Sequence, residues 1–147
     1  MKRILQFAGL LPMIAWWGGL TFYAGVVVPV GAAVFGSTEQ GFVTQRVTNW
    51  LNLLLAVALA ASIGGWLSKP RRRLFGATWL ALAISLVALA LVHRRMDGML
   101  DADTMSVVDA DGFYQIHRAY LWITIVQWLS GVVMLWCLPA QPVAPKN

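Results

Sequence analysis

Two stretches hold the residues best suited to chemistry: His93-Arg94-Arg95-Met96-Asp97 and Phe113-Tyr114-Gln115-Ile116-His117-Arg118-Ala119-Tyr120-Leu121-Trp122. Together with the segment between them they contain both histidines, three of the eleven basic residues and five of the six acidic ones. Three chemistries fit. His93 and His117 could ligate one b-type haem, with interfacial arginines on its propionates. His93, Met96, Met99, Met105 and His117 offer soft ligands suited to copper, with His93, Met96 and His117 as the nearest set, and His93 with Asp97 at i and i+4 suits a harder ion. Alternatively, His117, Arg118 and Tyr120 suit an anionic small molecule or lipid headgroup, or a proton relay.

These residues lie at the ends of apolar segments. Hydrophobic residues make up 59% of the 147 and charged residues 12%, against about 45–50% and about 25% in soluble domains. A water-soluble globule of this size cannot bury that excess, so lipid must solvate much of the surface. Four segments, at about 4–30, 49–67, 74–92 and 116–138, are near or above the ~20 apolar residues that a membrane-crossing helix needs. They lack the alternation of a transmembrane strand. The expected fold is an all-α integral membrane protein with four transmembrane helices in an antiparallel up-down bundle. Residues 1–138 form one domain, and the Pro-rich tail 139–147 is expected to be disordered and cytoplasmic.

The basic residues flank the apolar segments and form no aromatic-interleaved patch. The net charge of +5 therefore reads as a topology signal, and no nucleic-acid partner is expected. Met1-Lys2-Arg3 before a long apolar run without a small-x-small site reads as an uncleaved signal anchor. Pro12 and Pro29 are candidate kinks, with Pro29 a candidate end of the first helix. Four crossings put both termini and the second loop on one side, with Lys2, Arg3, Lys69, Arg71, Arg72, Arg73 and Lys146. The other side holds Arg46, Arg94, Arg95, Arg118 and all six acids. Seven basic residues against four place the termini in the cytoplasm, in a bacterial inner membrane. The lone Cys137 excludes an internal disulfide.

Helices in lipid associate through small residues and hydrogen bonds. The expected inward faces are Gly18, Thr21 and Gly25 on the first helix, and Asn49, Asn52, Ala56, Ala60 and Gly64 on the second. On the third they are Thr78, Ser85 and Met96. On the fourth, Phe113, His117, Tyr120, Thr124, Gln127 and Gly131 fall within about 80° of arc. This last stripe puts polar groups at successive depths, where unpaired ones cost several kcal/mol. It must meet other helices, water or a ligand. Plain interhelical hydrogen bonding and a polar cavity open to the exterior both satisfy that need.

Asp101, Asp103, Asp109 and Asp111 lack the glycine and terminal glutamate of an EF-hand loop, so they read as solvated loop residues. There is no Walker loop, His-Glu-x-x-His, nucleophile elbow or cysteine pair. Trp50, Trp66, Trp122 and Trp136 read as interfacial anchors, and Trp16, Trp17, Trp79 and Trp128 as lipid-facing or packing residues.

Trp16-Trp17-Gly18-Gly19-Leu20-Thr21-Phe22 with Gly25, Pro29 and Phe35-Gly36 resembles the opening of the small four-helix membrane family related to eukaryotic transmembrane protein 205. Phe113-Tyr114-Gln115-Ile116-His117 resembles that family's aromatic-aromatic-x-x-His entry into its last helix. The resemblance implies four spans and a functional His117. The stretches His93–Asp97 and Arg118–Trp122 do not map onto it. The overall character is also similar to copper-resistance D membrane proteins.

The expected function is binding or moving a small solute, ion or lipid at an outward-facing polar pocket between the third and fourth helices. His93, Arg94, Asp97, His117, Arg118, Tyr120, Thr124 and Gln127 are its candidate ligand-binding residues. A haem- or copper-dependent redox protein and an accessory subunit of a larger membrane complex or homo-oligomer are the alternatives. A reporter fused after Lys146 should be active only in the cytoplasm; activity outside would overturn the orientation.

Overall fold

The computed structural model describes residues 2–63, 72–101 and 106–137. Its helices are α1 (Lys2–Phe22), a π-helical turn (Tyr23–Val27), α2 (Val28–Phe35), α3 (Ser37–Ile63), α4 (Arg72–Asp97) and α5 (Ala110–Cys137). A short antiparallel pair, β1 (Leu100–Asp101) and β2 (Ser106–Val107), precedes α5. Among the described residues, four stretches are long and apolar enough to cross a membrane: Leu10–Phe35, Ser37–Ile63, Arg73–Asp97 and Ala110–Cys137. The expected positions 64–67 and 138–147 lie outside the described residues, as do Gly64, Trp66, Lys69, Asp103 and Met105.

Pro29 does not end the first helix. A proline inside a helix removes one hydrogen bond and crowds the carbonyl four residues earlier. Here the π turn stands just before it, and the Val28 N–H reaches back to the Tyr23 carbonyl. That widened turn relieves the crowding, and helix resumes as far as Phe35. The break comes at Gly36, whose φ of 99° is open to glycine at little cost. Its N–H still donates to Ala32 O at 3.1 Å, and its carbonyl accepts from Gln40 N at 3.1 Å. A single residue thus separates α2 from α3.

The second helix begins at Ser37, twelve residues before the expected Asn49. The polar stretch 37–48 is helix rather than loop because its side chains find partners on other helices. The third helix continues past Val92 to Asp97, and the last begins six residues before Ile116. Asp109 caps the latter: the Gly112 N–H donates to Asp109 Oδ1 at 3.0 Å, satisfying one orphan donor of the first turn. A Cβ at Gly112 would overlap that carboxylate.

The core joins Met13, Trp16 and Leu20 of α1, Leu55, Ala58 and Leu59 of α3, Phe75 and Leu82 of α4, and Met134 and Cys137 of α5. Trp16 is therefore a packing residue, not a lipid-facing one. Two expected inward faces point out. Gly18, Thr21 and Gly25 are exposed, as are Asn49, Ala56 and Ala60, with Asn52 half-buried. The close approach uses a small residue on α5 instead. A Cβ at Gly131 would lie 2.7 Å from Trp17 Cδ1 and 2.8 Å from Trp16 Cζ3. Bulky indoles on α1 then fill the space that glycine leaves, so α1 needs no small stripe of its own.

Thr78 and Ser85 are buried as expected; their hydroxyls bond back on their own helix, and Thr78 also reaches Met134 Sδ of α5 at 3.8 Å. Thr78 donates to Leu74 O at 2.9 Å and Ser85 to Leu82 O at 2.9 Å. The indoles reach across helices. Trp17 donates to Trp128 O at 3.3 Å, Trp128 to Thr21 Oγ1 at 2.8 Å and Trp79 to Leu59 O at 3.1 Å. On the outside, Phe35, Trp50, Ile84, Trp122 and Trp136 are each at least 66% exposed, a surface suited to lipid.

Overpacking costs about 1–3 kcal/mol, while Gly→Ala in an open helix gains up to about 1 kcal/mol. Gly131→Ala should therefore lower the melting temperature in detergent. Gly18→Ala and Gly25→Ala, with nothing within 4 Å of the added Cβ, should leave it unchanged or raise it.

Candidate functional site

The extension of α4 to Asp97 puts His93 and Asp97 one turn apart on the same face. His93 Nε2 lies 3.5 Å from Asp97 Oδ1. Gln45 of α3 donates to the same carboxylate oxygen at 2.6 Å. His93 is 8% exposed, so it faces the bundle rather than the headgroup layer.

The early start of α5 brings Phe113, His117 and Tyr120 into a stack. The Phe113 and His117 rings are 5.9 Å apart at 8°, and those of His117 and Tyr120 are 6.2 Å apart at 10°. Tyr120 also meets His93, with centroids 6.5 Å apart at 52°. It is thus the common neighbour of both histidines. Thr124 donates to Tyr120 O at 2.9 Å, so its hydroxyl is spent on its own helix. Gln127 is 2% exposed.

From Tyr120 a chain of hydroxyls crosses into α3. Tyr120 donates to Thr48 Oγ1 at 3.3 Å, and Thr48 donates to Thr44 O at 2.7 Å. Thr44 Oγ1 in turn accepts from Tyr23 of the π turn at 3.1 Å and from Gln40 Nε2 at 3.3 Å. Gln40 Nε2 also donates to Tyr23 Oη at 3.2 Å. A Cβ at Gly31 would overlap the Gln40 side-chain amide, so glycine at that position makes room for the network. π turns are frequent at functional sites, and this one supplies a network hydroxyl.

The structure therefore brings together His93, Asp97, His117, Tyr120, Thr124 and Gln127 on the inner faces of α4 and α5. It does not bring in Arg94 or Arg118, which are exposed. A step of one residue turns a helix by about 100°, so each arginine points away from the histidine before it. Met96 and Met99 are half-buried. Among the described residues no three His, Cys, Asp or Glu side chains converge as a metal-binding group.

Tyr23, Gln40, Thr44, Gln45 and Thr48 were not legible as site residues. Gln40, Thr44 and Thr48 do recur at every fourth position, a helical signal, but in a segment whose composition reads as loop.

Three buried side-chain nitrogens have no hydrogen-bond partner: His93 Nε2, His117 Nδ1 and Gln127 Nε2. Buried polar atoms are otherwise almost always paired. Between α4 and α5 the imidazoles offer donor or acceptor character, and Gln127 offers donor character deeper along α5.

The chain matches no protein-family model, no curated protein and no solved structure.

Interhelical hydrogen bonds in membranes couple by about 0.6 kcal/mol on average and about 1.7 at most. A double-mutant cycle of Tyr120→Phe and Thr48→Val should give coupling in that range, read from unfolding in mixed micelles. Strictly additive losses would show that the two hydroxyls do not bond.

Proposed function

We propose that this chain is a polytopic inner-membrane protein, with four antiparallel spans and cytoplasmic termini, that binds a small polar solute or ion between α4 and α5. The observation that carries the reading is the pair of imidazoles that both meet Tyr120, with His117 Nδ1 buried and without a hydrogen-bond partner and His93 Nε2 held only by its 3.5 Å contact to Asp97. Leaving such groups unpaired costs about 1–3 kcal/mol each. A guest that pairs with the imidazoles recovers that cost, whereas Gln127, ten residues or about 15 Å along α5 from His117, is beyond the reach of the same small molecule. The up-down arrangement is supported by two contacts between α3 and α4: Asp97 with Gln45, and Trp79 with Leu59. Insertion is supported by the four apolar helices and the exposed apolar surface. Kinship with the family related to transmembrane protein 205 belongs to the same proposal and rests on residues 16–36 and 113–117. Moving a solute, as opposed to binding it, would need a homo-oligomer or a larger complex, because four spans leave no wide central path.

A second reading draws on the same atoms. Haem b, or copper held with Met96, would use His93 and His117, whose rings both rest on Tyr120. A Soret band, or stoichiometric copper, lost in His93→Ala would favour it over the solute reading.

The test of the first reading is thermal melting of the purified protein with acetate, ammonium, zinc, copper and haemin as separate probes. One probe should raise the melting temperature, and His117→Phe should abolish that rise. Without any probe His117→Phe should melt at the same or a higher temperature. It extends the Phe113–Tyr120 stack and removes an unpaired nitrogen, a change worth about 1 kcal/mol. If no probe shifts the wild type and His117→Phe is strongly destabilised, the histidine is a structural residue and the binding reading fails.

A further inference from the structure

The outer face of the same helix pair carries a second feature. Leu91 and Val92 of α4 with Ile116 and Ala119 of α5 floor an apolar groove of about 610 Å³. Arg94, Arg95 and Gln115 line the same groove. All three are exposed, and so are Leu91 and Ala119. Leu91 and Arg95 each lie two residues from His93, as Gln115 and Ala119 do from His117. Two residues correspond to about 160° around a helix. The groove is therefore on the opposite side of α4 and α5 from the buried histidines, and no residue is shared between them.

Among the described residues neither guanidinium is paired with a carboxylate. Two neighbouring cations beside an apolar furrow on a lipid-facing surface match one kind of molecule. An anionic phospholipid offers a phosphate for the guanidiniums, which suit it by their planar, bidentate geometry. It also offers an acyl chain for the furrow. A zwitterionic lipid has the chain but neutralises its own phosphate. Soluble anions have the charge but gain nothing from Leu91, Val92, Ile116 and Ala119.

We propose that this groove is a binding site for an anionic phospholipid, with the phosphate on Arg94 and Arg95 and an acyl chain along the apolar floor. The site rests on the membrane reading above but is independent of any guest at the histidines. Removing both sets of charge-assisted hydrogen bonds to the phosphate should weaken lipid retention by roughly tenfold or more.

The experiment is native mass spectrometry of the full chain released from detergent after incubation with phosphatidylglycerol or phosphatidylcholine. The wild type should retain phosphatidylglycerol at collision energies that strip phosphatidylcholine. Arg94→Gln/Arg95→Gln should lose that preference, and Arg46→Gln should keep it. Ile116→Trp, which fills the furrow and leaves both charges, should also weaken retention. Equal retention of both lipids, or a preference unchanged in the double variant, would overturn the assignment. Displacement by inorganic phosphate alone, with no effect of Ile116→Trp, would reduce the site to a free-anion contact and overturn the lipid assignment. Alkaline carbonate extraction separates the two levels. A chain that leaves the membrane fraction sinks the membrane reading itself, whereas a chain that stays but shows no lipid preference sinks only this site.

Discussion

On the membrane reading proposed above, no solvent is at hand over the apolar length of these helices to pair a hydroxyl, an amide or an imidazole, so each must find its partner within the bundle. The arrangement of α3 follows from that constraint. Its first half carries Gln40, Thr44, Gln45 and Thr48 on faces that would be costly if left against lipid. Each is met by a group from another element: Tyr23 from the π turn, Asp97 from α4, Tyr120 from α5. These pairs fix α3 against three neighbours at once. Apolar side chains could not set that register, because they gain little by exchanging lipid for one another. Farther along, the bundle is set by shape. Gly131 admits Trp16 and Trp17, and the indole N–H groups of Trp17 and Trp79 close on backbone carbonyls of other helices.

The same constraint explains what could be read in advance. The four apolar helices and the inward stripe of α5 are legible because composition and the 3.6-residue period report directly on which solvent each face meets. His93 with Asp97 was legible too, given a helix long enough to hold both. The helical character of 37–48 was not. Its Ser, Thr, Glu, Gln and Gly content resembles a solvated connection, and only the partners on other helices reveal that its polar face is enclosed. The small-residue faces of α1 and α3 misled for a related reason. A close approach needs one small residue at each contact, and the rule does not say which helix provides it. Here Gly131 does, which frees Gly18, Gly25, Ala56 and Ala60 to face outward.

The arginines mark the last gap between sequence and site. Arg94 and Arg118 are next to the histidines in the chain and far from them around the helix. That separation has a chemical consequence. A guanidinium packed against the seam would donate to an imidazole nitrogen or repel a cation there. A turn of α4 large enough to bring Arg95 inward would carry His93 to the outer surface and break the pairing of Asp97 with Gln45. The inner face is thereby kept free of fixed positive charge while Tyr120 stays bonded to Thr48. Among the described residues, the buried Nδ1 of His117 is not met by the arginine next to it in sequence.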